Sequence, residues 1–204
     1  GTMWWILDPI LQMIVYVVLI SFILNVRQPA YPLFIFSAIL PWKWFATSVT
    51  DAITSVSAQD RLIKQLKKGK PVERAEAAWD LGQTKAYAAI PDLAAALLDK
   101  DQFVRSNAAA SLWAMADHAN SAREALTAAL TDRYGRVRVN AAGALWAMET
   151  PRRELMPALD EVVSGRDASD AAEAADLLIR MGREPKEFTE TLLRAMSDFN
   201  VETR

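Results

Sequence analysis

A chain of 204 residues with a formal charge of −2, no cysteine and one histidine excludes disulfides, thiolate chemistry and a histidine metal cluster. It also lacks the concentrated basic surface that nucleic acid requires, so no nucleic-acid partner is expected. Charge is unevenly spread: residues 1–57 carry only Asp8, Arg27, Lys43 and Asp51, and nearly all other ionisable groups follow Ala58.

In chain order, the first predicted element is the uncharged run from Pro9 to Val26. Its 18 residues would rise to ~27 Å as a helix, close to the thickness of bilayer hydrocarbon. The segment 1–28 is therefore expected to be a transmembrane anchor, with Trp4 and Trp5 at the interface. No basic stretch precedes the run and no small-residue cleavage site follows it, which argues against a removable signal.

Residues 29–57 are apolar and aromatic but interrupted by Pro32, Pro41 and Lys43. Three readings stand: a second span, an interfacial segment with Tyr31, Trp42 and Trp44 at headgroup depth, or a helix docked on a partner subunit. The prolines favour the last two, because the backbone groups they free must be satisfied by neighbours. Arg27 and the cluster Arg61, Lys64, Lys67, Lys68 and Lys70 put the charged body, 58–204, on the cytoplasmic side of a membrane. The same five residues are candidates for contact with anionic lipid, and equally read as a solvated helix face.

The body repeats itself. ERAEAAWDL from Glu73, VRSNAAASL from Val104 and VRVNAAGAL from Val137 align, with DAAEAADLL from Asp170 as a looser fourth copy. Ala77, Ala108, Ala141 and Ala174 are then equivalent, at intervals of 31, 33 and 33 residues. Each copy precedes a second apolar helix, beginning near Ile90, Ser121, Glu154 and Phe188, and the run from Arg61 matches these second helices as a half repeat. Paired alanines let helix backbones approach, and leucines beyond them fill the space between hairpins. No such hairpin buries its own apolar face, so neighbours must stack. Gly69, Pro71, Gly82, Gly165 and Gly182 are placed in turns.

These segments resemble HEAT repeats, and more narrowly the short HEAT-like repeats associated with phycobilisome bilin lyases. The run D-x5-R-x2-AA-x2-L carries the resemblance, as Asp99, Arg105, Ala108, Ala109 and Leu112, and again as Asp132, Arg138, Ala141, Ala142 and Leu145. The resemblance implies an all-α solenoid over 58–204. It also implies a ladder of charged hydrogen bonds from Asp99, Arg105, Asp132 and Arg138, confined to the middle because Lys68 stands in the first acidic position and the last repeat lacks the arginine.

No catalytic constellation is found, and neither cofactor nor metal is expected. His118 reads as an ordinary turn histidine, and acidic pairs such as Asp99 with Asp101 read as solvated loop groups. Trp79, Trp113 and Trp146 read as packing between hairpins in preference to a stacked recognition surface. Asn107 and Asn140 coincide and suggest a polar ladder. The partner-binding surface is expected on the second helices, with Arg123, Glu124, Glu154, Asp160, Glu161, Glu187, Glu190 and Arg194 as candidates. The whole reads as a non-enzymatic, membrane-anchored adaptor with an N-terminal transmembrane helix, binding a protein partner as an accessory subunit of a membrane complex. The alternatives are a bilin lyase-like maturation factor and a peripheral lipid-binding module.

Overall fold

The computed structural model describes residues 10, 11, 14, 15, 18 and 31–202. The chain divides into two compact units, residues 1–58 and 59–204, with the division inside α1 (Tyr31–Lys68).

In the first unit, α1 carries Pro41 in its interior without ending there. Proline removes one N–H and is tolerated when the flanking turns hold. Trp42, Trp44, Phe45, Ile53 and Val56 are exposed along it. The hydroxyls of Thr50, Thr54 and Ser57 donate back to the carbonyls of Ala46, Thr50 and Thr54.

The expected fold class included a transmembrane helix, and that requires correction. Among the described residues no helix is long and apolar enough to cross a membrane. In α1 the apolar stretch is diluted by Pro41 and Lys43, then by the hydroxyl-rich run from Thr47 to Ser57 around Asp51. Trp4, Trp5 and most of the expected span Pro9 to Val26 lie outside the described residues. The fold is therefore all-α, without a spanning helix among the described residues.

The second unit is a stack of helical hairpins, with no strand among the described residues. The first helices are α2 (Pro71–Gln83), α4 (Gln102–Ala114), α6 (Gly135–Ala147) and α8 (Ala168–Arg180). Their partners are α3 (Ile90–Ala96), α5 (Arg123–Ala129), α7 (Arg152–Val163) and α9 (Thr189–Glu202). The end of α1 serves as a further second helix, with Leu66 buried and Leu62 and Ile63 packed on the core.

Chain chemistry accounts for the starts and stops. Pro71 opens α2, where a missing N–H costs nothing, and Glu73 accepts from the Lys70 N–H at 2.8 Å. Asp101 caps α4 by accepting from Phe103 and Val104, and Asp167 caps α8 by accepting from Asp170. Three of the four first helices end on a left-handed residue, Lys85 (φ 49°), Glu149 (φ 64°) and Gly182 (φ 103°). There the N–H groups of Ala86, Thr150 and Arg183 return to the carbonyls of Leu81, Leu145 and Leu178.

The alanine pairs form the seam. Ala77, Ala78, Ala108, Ala109, Ala141, Ala142, Ala174 and Ala175 are all 0 % exposed. The equivalent Leu81, Leu112, Leu145 and Leu178 are likewise buried, each contributing about 2 kcal/mol of apolar transfer. The first helices consequently lie tightly against one another, whereas α3 and α5 meet only sparsely. Gly82, placed in a turn on sequence grounds, instead lies within α2 at this seam. A Cβ there would come within 2.8 Å of the Ser111 Cα, so helix contact and not turning requires the glycine.

Candidate partner-binding groove

Polar bridges between successive repeats fix the first-helix layer. The Arg74 guanidinium pairs with Asp99 at 2.8 and 2.7 Å, and Arg105 pairs with Asp132 at 2.6 and 2.9 Å. Each arginine also donates into the loop before its own helix: Arg74 to the Gly69 carbonyl, Arg105 to Asp99 and Lys100, Arg138 to Asp132. The acid thus bonds to the arginine of the preceding repeat. Arg74, which the expected ladder left out, supplies the first rung.

The third rung is vacant. Gly165 stands where Asp99 and Asp132 stood, and the Arg138 Nε is buried without a hydrogen-bond partner. A Cβ at 165 would approach the Val162 carbonyl to 2.9 Å, so the turn requires the residue that removes the acid. Arg136 bridges instead. It donates to Asp170 through its backbone N–H and its Nε, both at 2.8 Å, to Ser169 at 2.9 Å, and to Glu173.

These settings shift the carboxyls in opposite directions. Burial pushes Asp132 up, but the Arg105 guanidinium and the Tyr134 N–H outweigh it and hold the group below the ordinary carboxylate range. Burial likewise pushes Asp99 up, but Arg74 and the Asp101 N–H together outweigh it and hold the group low. Glu173 is raised, by partial burial first and by Asp170 and Asp167, with Arg136 opposing.

A second ladder runs alongside. Asn107 donates to the Ala75 carbonyl at 2.8 Å, Asn140 to the Ser106 carbonyl at 3.1 Å, and Ser111 to the Ala78 carbonyl at 2.7 Å. Over this layer lies a groove of about 740 Å³. Trp79, Phe103 and Trp113 line one part of it, the two asparagines its middle, and Arg136 with Asp167, Asp170 and Glu173 the other. Trp79 is 47 % and Phe103 64 % exposed. Trp113 lies over Gly143, where a Cβ would meet three ring carbons at 2.7 Å. Trp146 is half-buried with the Arg180 guanidinium 5.8 Å from its ring. Two of the three tryptophans thus pack between repeats, while Trp79 faces out. Phe103 escapes the sequence pattern because an exposed aromatic follows no core period, and only its place just after the Asp101 cap marks it.

The candidates expected on the second helices are differently placed. Arg123 is engaged within the stack, donating to Thr150 at 2.7 Å and to the Met148 carbonyl at 2.8 Å. Glu124 lies beside it in a shallow hollow of about 720 Å³. Arg183 pairs with Asp160 and Glu187, and Arg194 donates to the Gly165 carbonyl at 3.0 Å. Glu154, Glu161 and Glu190 are exposed. In the basic cluster, Lys67 pairs with Asp92 at 2.7 Å, and Arg61, Lys64, Lys68 and Lys70 are exposed. His118 makes an edge contact with Tyr87 at 4.3 Å.

The stacked hairpins have a counterpart among known families: residues 60–146 match the family model for HEAT repeats. The chain is also 36 % identical over 67 residues to an O-antigen export system permease protein, RfbA, of Myxococcus xanthus, an alignment covering 33 % of this chain and 26 % of the permease. A Klebsiella pneumoniae permease of the same name is 34 % identical over 65 residues, covering 32 % of this chain and 25 % of that one. The chain thus spans about a quarter of the length of these relatives. A crystal structure of an engineered protein superposes with a TM-score of 0.45 at 24 % identity, covering 68 % of each chain.

Proposed function

We propose that this chain is a non-enzymatic adaptor that holds a protein partner in the groove over its first helices and works at a membrane complex, with the repeats on the cytoplasmic side. The observation that carries the reading is the pair of exposed aromatics, Trp79 and Phe103, beside a 740 Å³ groove on a layer braced by part-buried ion pairs. Large aromatics held out on rigid helices anchor protein contacts at small entropic cost. The match to HEAT repeats supports a protein-binding role, and the partial likeness to export permeases supports a membrane complex as its setting.

The test is purification of the full chain in mild detergent from its own cells, beside a Trp79→Ala/Phe103→Ala variant. A stoichiometric partner retained by the parent and lost from the variant, with helicity unchanged, is the expected result. Recovery of the chain alone, or equal retention by both forms, overturns the reading.

A further inference from the structure

If the chain is an adaptor, the chemistry of its groove narrows the kind of protein segment it can hold. The two asparagine amides fix the hydrogen-bonding character of the floor. Asn107 and Asn140 each commit their amide nitrogen to a backbone carbonyl of the preceding repeat. A carbonyl only accepts, so the orientation of both amides is forced. Both residues line the groove, where each Oδ1 is free to accept and Asn107 keeps one further N–H. Towards α8 the groove holds three carboxylates, Asp167, Asp170 and Glu173, against the single guanidinium of Arg136. That guanidinium is occupied by Asp170, Glu173 and Ser169. Towards α2 the lining is Trp79, Phe103 and Trp113.

Acceptors, excess negative charge and aromatic faces converge on one occupant. We infer that the groove takes a partner segment that carries arginine or lysine towards one end and an apolar side chain towards the other, the cation against Glu173 and Asp167, the apolar group against Trp79 and Phe103. Donors on the segment meet the two Oδ1 atoms. A segment rich in carboxylates meets acceptors and like charge throughout. The partial burial of Glu173 beside two other carboxylates, which raises its affinity for a proton, agrees with a site short of positive charge.

The probe is a tryptophan-free twelve-residue peptide of arginine, leucine and glutamine, with a counterpart in which every arginine is glutamate. Binding to the full chain in mild detergent is followed by tryptophan fluorescence at two salt concentrations. The arginine peptide is expected to bind at least ten-fold more tightly than its counterpart and to weaken with salt. Glu173→Gln and Trp79→Ala should each weaken it several-fold with helicity unchanged. Equal binding of the two peptides, binding indifferent to both substitutions, or no binding of either overturns the inference. Binding of the glutamate peptide that Trp79→Ala abolishes would overturn the stated charge preference alone and leave the groove as a docking site. Loss of the adaptor reading itself is read separately, in the co-purification.

Discussion

The α4–α6 and α6–α8 interfaces both close on buried alanine pairs and use different polar devices. Between α4 and α6, the Arg105–Asp132 pair is nearly buried, its side chains 8 and 12 % exposed. Between α6 and α8 the same position holds Gly165, Arg138 lacks its acid, and Arg136 reaches Asp170 with 37 % of its side chain exposed. Alanine and leucine spacing sets how the helices stack, and the polar bridge adapts to whichever loop residue the turn allows.

The contrast between the interfaces is sharpest in the loss of a partner. Asp132→Ala strands the Arg105 guanidinium in a dry site and should cost about 3 kcal/mol. Arg136→Ala, at the wetter interface, should cost about 1 kcal/mol. Urea unfolding followed by circular dichroism measures both, and equal losses would remove the distinction between the interfaces. Gly82→Ala tests the seam that precedes both, since its Cβ would overlap Ser111. Overpacking of this kind costs about 2 kcal/mol. Adding Ser111→Gly should recover part of it, and a purely additive pair would show that the two positions do not touch.

Acid should separate the interfaces in sign. Asp99 and Asp132 have folded pKa values below their unfolded ones, so their contribution is complete above about pH 4 and is lost as pH falls through the lower folded values. Glu173, raised on folding, opposes stability when ionised, and this opposition is relieved as pH falls through its folded value towards the ordinary glutamate range. Hydrogen exchange across pH should therefore show α2–α4 and α4–α6 loosening in acid and α6–α8 not following it at first. Asp132→Asn should flatten the first limb and Glu173→Gln the second, and identical pH profiles for the two interfaces would contradict the assignment. The smallest effect is local: Glu149→Gly relieves a left-handed residue of its Cβ and should stabilise by about 0.5–1 kcal/mol in thermal unfolding. No gain would mean that the conformation carries little strain.

Much of the repeat array is legible from the chain. The recurrence of Ala77, Ala108, Ala141 and Ala174 implies stacked first helices, and those residues are fully buried. Less is legible of the groove. Arg74 and Arg136 look like surface charges in one dimension, because their acids lie 25 and 34 positions away. The second helices attracted the candidate contacts through their charge, yet Arg123 turns out to brace the next repeat. Segment 9–26 reads as a span from hydropathy, while the long helix after it is punctuated by Lys43, Pro41 and hydroxyls and does not qualify.

The sequence alone determined the helical hairpins, their thirty-odd-residue period and the alanine seam, because short-range spacing decides which side chains share a helix face. The tertiary structure decided which arginine meets which aspartate, which tryptophan packs and which faces out, and which carbonyl each of the two asparagine amides meets. Those outcomes depend on atoms brought together from repeats some thirty residues apart, and local periodicity carries no information about the orientation of one such group towards another.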